Sequence, residues 1–161
     1  MGRTFFLMLG FVLTIGCGYA QDTLKAQKPK VTHELIEGFL PERMYNKVLE
    51  SHQISLHTIK HILIDTETLA YSNKLVFVRE LTQEELLVFK QLLLVDTSYH
   101  WRAYNEEFVF YPSRQFVMKS SRDPLNIVAN FDNSYISFIG LDGQMVLPIQ
   151  GELKAFLRNL Y

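Results

Sequence analysis

The apolar residues switch to a period of two at Phe108 and keep it, in short runs, as far as Ile149. Strand side chains alternate between faces, so this is the period of a sheet and not of a helix. Breaks at Pro112-Ser113, at Ser120 to Pro124 and at Leu141-Asp142-Gly143-Gln144 divide the region. The strands they leave are Phe108 to Tyr111, Phe116 to Lys119, Leu125 to Phe131, Tyr135 to Gly140 and Met145 to Ile149. Connections this short join antiparallel neighbours, because a parallel pair needs a crossover of about a dozen residues. Asp142-Gly143 is the strongest turn, since that pair tolerates the positive φ values of a type I′ hairpin. Phe108–Tyr111 and Leu125–Ala129 are aggregation risks wherever they lie unpaired at an edge.

Helical patterns lie on both sides of this region. Thr82 and Glu85 have the spacing of a capping box, in which each side chain accepts from the other's backbone N–H. Leu86, Leu87, Phe89, Leu92, Leu93 and Val95 then form a wide apolar face, and this helix is expected to end near Asp96. Upstream, Glu34 to Ser51 reads as helical with Pro41 in a first turn, and Ile59 to Ile64 and Lys74 to Glu80 read as strands. Gly151 to Tyr161 closes as a helix buried through Leu153, Phe156, Leu157 and Leu160. Strands grouped in this way give an α+β fold and do not fit a doubly wound parallel sheet. The expectation is an antiparallel sheet of about five to seven strands, with the Gln83–Val95 helix packed on one face and flanking terminal helices.

The N-terminus reads as an address. Arg3 precedes a nearly unbroken apolar run from Phe5 to Ile15, and Gly18-Tyr19-Ala20 has the small-x-small form of a cleavage site. A signal peptide over 1–20, a flexible spacer over 21–31 and a single α+β domain over 32–161 are therefore expected. The run is short for a bilayer span, so no transmembrane segment is expected after cleavage. The destination is then the periplasm or the extracellular space. Thr14-Ile15-Gly16-Cys17 loosely follows a lipobox, which offers the alternative of a lipid anchor on Cys17 and an inner- or outer-membrane lipoprotein. Cys17 is the only cysteine, so cleavage after Ala20 would exclude disulfides, thiol catalysis and Cys-ligated zinc together.

A formal net charge of -1 supplies no broad field for nucleic acid. No G-x-S-x-G elbow occurs, and G-x-G occurs only at Gly16-Cys17-Gly18. Ser98 and His100, or Ser55 and His57, are near in sequence only, which says little about a triad. The pairs Glu84-Glu85 and Glu106-Glu107 suit a helix start and a solvated face. His57 and His61 have a spacing that would grip a metal from one face of a helix, with His52 as a further ligand. Their segment reads equally well as a strand, and the pattern H-E-x-x-H is absent.

Two groups suit recognition. Trp101, with Tyr99, Tyr104 and Tyr111 nearby, has the rigid area and polar tips used against carbohydrate or protein, and equally suits packing at a sheet edge. Asn130, Asp132, Asn133 and Ser134 offer oxygen ligands for calcium and also the residues of a turn.

The segment Leu81 to Asn133 runs from the capped helix through Ser98-Tyr99 to Phe110-Tyr111-Pro112-Ser113-Arg114 and then Ile127 to Asn133. This order resembles a set of small, mostly uncharacterised exported bacterial proteins that carry F-x-P-R-H on one strand and C-F-x-C on a later one. Gln115 stands here in the place of the histidine, and Asn130 and Asn133 in those of the cysteines. The resemblance implies fold and export and no activity. The resulting expectation is a non-catalytic binding or interaction module of the cell envelope, with no cofactor. Its partner would be an envelope protein or small ligand, and its face Tyr111, Arg114 and Gln115 beside Asn130, Asp132 and Asn133, helped by Trp101. The alternative is a small metal-dependent enzyme using His57 and His61.

Overall fold

A computed structural model describes residues 32–68, 70–103, 108–120 and 123–160. The expected signal peptide, the spacer, Cys17, Tyr104 and the Glu106-Glu107 pair lie outside these residues. The described residues all belong to one compact unit. In chain order the elements are α1 (Glu34–Phe39), α2 (Glu42–Glu50), β1 (Gln53–Asp65), β2 (Ala70–Glu80) and α3 (Gln83–Leu93). Two short 3₁₀ turns follow, at Asp96–Ser98 and Trp101–Ala103. The chain ends with β3 (Pro112–Lys119), β4 (Leu125–Asn130), β5 (Tyr135–Gly140), β6 (Gly143–Pro148) and α4 (Gly151–Asn159).

Among the described residues six strands form one sheet in the order β2-β1-β3-β4-β5-β6, and every neighbouring pair is antiparallel. This is the expected α+β fold, with helices at both ends. Alternate residues of the strands build the core: Ile54 and Leu56, Phe116 and Met118, Leu125 and Ile127, Ile136 and Phe138, and Leu147. Ile36, Met44, Val48, Phe89, Leu93, Leu153 and Leu157 cover them from the helices. Asp96 ties the first helix to this layer, its Oδ1 accepting from the Ile36 N–H at 2.9 Å. That bond satisfies one of the donors a helix N-terminus leaves free.

Several boundaries differ from the sequence reading, each for a local reason. Phe108 to Tyr111 is not a strand, and β3 instead begins at Pro112, where a break was expected. Proline lacks a donor and is tolerated as the first residue of a strand. Pro41 precedes α2 as its N-cap, which splits the first helical stretch in two. The long helix stops at Leu93. Leu125–Ala129 lies within the sheet interior; among the described residues the outer strands are β2 and β6, and β1 is unpaired on its β3 side beyond Thr58. The loop Leu141–Asp142 is closed by the Gly140↔Gly143 pair, and the positive φ of +114° falls on Gly143. Leu141 and Asp142 keep negative φ, so the turn is not type I′.

The capping box forms as the sequence predicts. Thr82 Oγ1 accepts from the Glu85 N–H at 3.2 Å, and Glu85 Oε2 accepts from the Thr82 N–H at 2.8 Å. Glu85 also takes both arms of the Arg79 guanidinium, at 2.7 and 2.8 Å. The Arg79 bonds, with the Thr82 donors, hold the Glu85 carboxyl down at about 2 against partial burial. A depressed carboxyl stabilises the fold above its unfolded value near 4.5 and loses that contribution as pH falls towards 2. Glu85→Gln is therefore expected to cost about 1–2 kcal/mol at pH 6, after allowance for solvent screening. Urea unfolding at several pH values checks this, since most of the difference between the two proteins is expected to vanish by about pH 2.

One part of the fold leaves the sheet body. β1 pairs with β3 only from Gln53 to Thr58, but pairs with β2 as far as Asp65. The residues beyond Thr58 form a two-stranded arm with Tyr71 to Leu75. On one of its faces His57 lies opposite Phe77, Ile59 opposite Leu75, His61 opposite Asn73 and Leu63 opposite Tyr71. The other face carries Lys60 directly opposite Lys74, flanked by Ile62 and Val76. Ile62, Leu63, Ile64, Tyr71, Leu75, Phe77 and Val78 are 40–66% exposed.

Candidate functional site

Where β1 parts from β3 the surface folds into a cleft of about 650 Å³. Thr58, Ile59 and His61 of β1 form one wall. Tyr111, Pro112, Ser113 and Arg114 line the β3 side, and Phe131 completes the lining. The volume is that of a small-molecule or side-chain site. Its origin is in the sequence: Pro112 starts β3 without an N–H, so the β1–β3 ladder stops at Thr58↔Arg114. His61 bridges the gap, its Nε2 lying 3.1 Å from the Pro112 carbonyl oxygen.

The turn beyond β4 fixes the aromatic wall. Asn130 Oδ1 accepts from the Tyr111 N–H, and the Phe131 N–H donates to the Tyr111 carbonyl at 2.9 Å. Asp132 Oδ1 accepts from the Asn130 amide, the Ser134 N–H and the Ser134 hydroxyl. The Ser134 hydroxyl does most to hold the Asp132 carboxyl below the usual carboxylate range, while partial burial opposes it. Asn133 sits at φ +53°, a left-handed position that asparagine tolerates better than most residues. Of the expected oxygen cluster, Asn130, Asp132 and Asn133 thus serve the turn. Its product is a pair of aromatic rings held out to solvent: Tyr111 is 64% and Phe131 78% exposed.

The remaining candidates are placed elsewhere or committed to the frame. Arg114 lines the cleft but is only 5% exposed. It donates to the Leu157 carbonyl in the last turn of α4 and, at 2.9 Å, to Asn133 Oδ1. A cation is favoured at a helix C-terminus, where carbonyls point outward unpaired. Gln115 points to the opposite face of β3 and donates to Asn126 at 2.9 Å. Trp101 does not line the cleft. It packs edge-on against Phe39 at 5.8 Å, and its indole donates to the Asp96 carbonyl at 2.9 Å.

His57 and His61 lie on β1, not on a helix. Four residues along a strand span about 13 Å, against about 6 Å along a helix, so the spacing loses its helical grip. The His57 ring instead packs edge-on against Phe77 at 5.6 Å. His52 precedes β1 and is exposed. Among the described residues no group of three or more His, Cys, Asp or Glu side chains is placed to hold a metal ion. Among them, too, no helix is long and apolar enough to cross a membrane. Sequence reasoning missed Ile59 and Phe131 as site residues. Pro112 at a strand start was the signal that could have shown where pairing ends.

Comparison with protein-family models, with curated proteins and with solved structures finds no match for this chain.

Proposed function

We propose that the protein is an exported, non-catalytic binding module of a bacterial cell envelope, and that it binds through the cleft between β1 and the start of β3. The observation that carries this reading is the pair of outward aromatic rings, Tyr111 and Phe131, carried on a hydrogen-bonded turn at the rim of a 650 Å³ cleft. Exposed aromatics beside a pocket bring large contact area to a partner. The N-terminal signal pattern supports the envelope as the place of action.

The test is cross-linking in the native envelope, followed by capture and mass spectrometry, with Tyr111→Ala/Phe131→Ala beside the wild type. Each exposed ring at a binding centre contributes about 1–3 kcal/mol, so the double variant is expected to lose at least tenfold of the captured partner. Both rings are exposed, so thermal unfolding is expected to stay nearly unchanged. Equal capture by the two proteins would remove the cleft from consideration.

A further inference from the structure

We infer that the cleft receives an extended acidic peptide segment, which adds as a strand to the open edge of β1 along Ile59–Asp65. This rests on the cleft reading above and names its ligand class. The first support is the ladder. Beyond Thr58, β1 keeps β2 on one side, and no described strand lies on the other. Among the described residues no backbone hydrogen bond reaches Ile59–Asp65 from that side, which leaves its donors and acceptors to a strand that continues the line of β3. Addition of an extended peptide to a free sheet edge draws its affinity from such groups.

The second support is charge. Lys60 and Lys74 lie directly opposite each other across the arm. Among the described residues neither has a carboxylate within 4.0 Å. Like charges at directly opposed positions destabilise a strand pair by about 0.2–1 kcal/mol. An acidic side chain of the added strand, on the Lys60 face, reverses the sign of that interaction. The third support is position. Ile59 and His61 begin the open edge and, with Thr58, also line the cleft. A strand lying there delivers an apolar side chain between Tyr111, Pro112 and Phe131. Because strand side chains alternate, the ligand pattern is acidic and apolar residues in alternation.

An anionic lipid surface would answer the two lysines but not the open ladder groups.

The experiment selects random octapeptides displayed on phage against the purified protein and against Lys60→Glu/Lys74→Glu. The wild type is expected to enrich Asp or Glu alternating with apolar residues, and the variant to enrich Lys or Arg, a switch that only a folded arm can make. The best peptide, labelled with fluorescein, is then titrated by anisotropy. Its affinity is expected to fall at least tenfold on the charge-reversed arm, and at least tenfold when alternate peptide nitrogens on its ladder side are methylated. Enrichment without acidic residues, or equal binding of the methylated form, overturns the inference. So does Lys60-dependent binding to vesicles of phosphatidylglycerol and phosphatidylcholine with no peptide enriched. Peptides that need Tyr111 and Phe131 but ignore Lys60 and Lys74 overturn this inference and leave the cleft reading standing. Peptides indifferent to Tyr111 and Phe131 remove the cleft reading itself.

Discussion

Arg114→Met is expected to lower the unfolding free energy by about 3–5 kcal/mol, the value for two charge-assisted hydrogen bonds lost from a buried site. The guanidinium holds two separate parts of the chain. One bond reaches the Leu157 carbonyl in the last turn of α4, and the other reaches Asn133 in the turn after β4. Methionine fills much of the same volume but leaves both acceptors buried without these donors. Arg114→Lys keeps the charge and loses the planar fork, so it cannot serve both acceptors and is expected to fall between the two. Urea unfolding of the three proteins measures the effect. A loss below about 1 kcal/mol in the methionine variant would show that the fork is not made in solution. Arg114 also carries a warning for binding studies, because its substitution would disturb the frame and the cleft together. Tyr111 and Phe131 are the cleaner probes.

Phe89→Ala is the second large effect, at about 3–5 kcal/mol. Phe89 is fully buried on α3. Its ring meets Phe116 of β3 at 4.8 Å, and it stacks on Phe156 of α4 at 5.5 Å. One side chain therefore joins the central helix, the sheet and the terminal helix. Removing it opens a cavity that three rigid elements cannot close together, and the two aromatic contacts are lost with it. Leu87 lies two residues away on the same helix and is 58% exposed. Leu87→Ala is expected to change stability by no more than about 0.5 kcal/mol. If the two variants unfolded at the same urea concentration, α3 would not face the sheet through Phe89.

What could be read from the chain was local. The capping box at Thr82 and Glu85 needs only residues three apart, and it formed as read. The period of two placed Leu125, Ile127, Ile136 and Phe138 in strands, and the grouping of those strands gave the α+β class. The Pro112 neighbourhood was misread for the opposite reason. A proline marks a break in a sequence, but whether it stops a strand or opens one depends on which partner lies on its N–H side.

The candidate site was only half legible. Tyr111 and Asp132 were singled out for residue type, and type cannot tell a ring held outward from the carboxylate that holds its turn. Arg114 reads as a surface cation until the C-terminus of α4 comes down on it. His57 and His61 suggest a metal only while their segment is imagined as a helix. The sequence by itself determined the class of fold and the capped helix, because each depends on spacing within a few residues. Tertiary structure alone decided that Arg114 is buried under the end of α4, and that Ile59, Tyr111 and Phe131 share one cleft. These depend on contacts between residues far apart in the chain, and no local period records them.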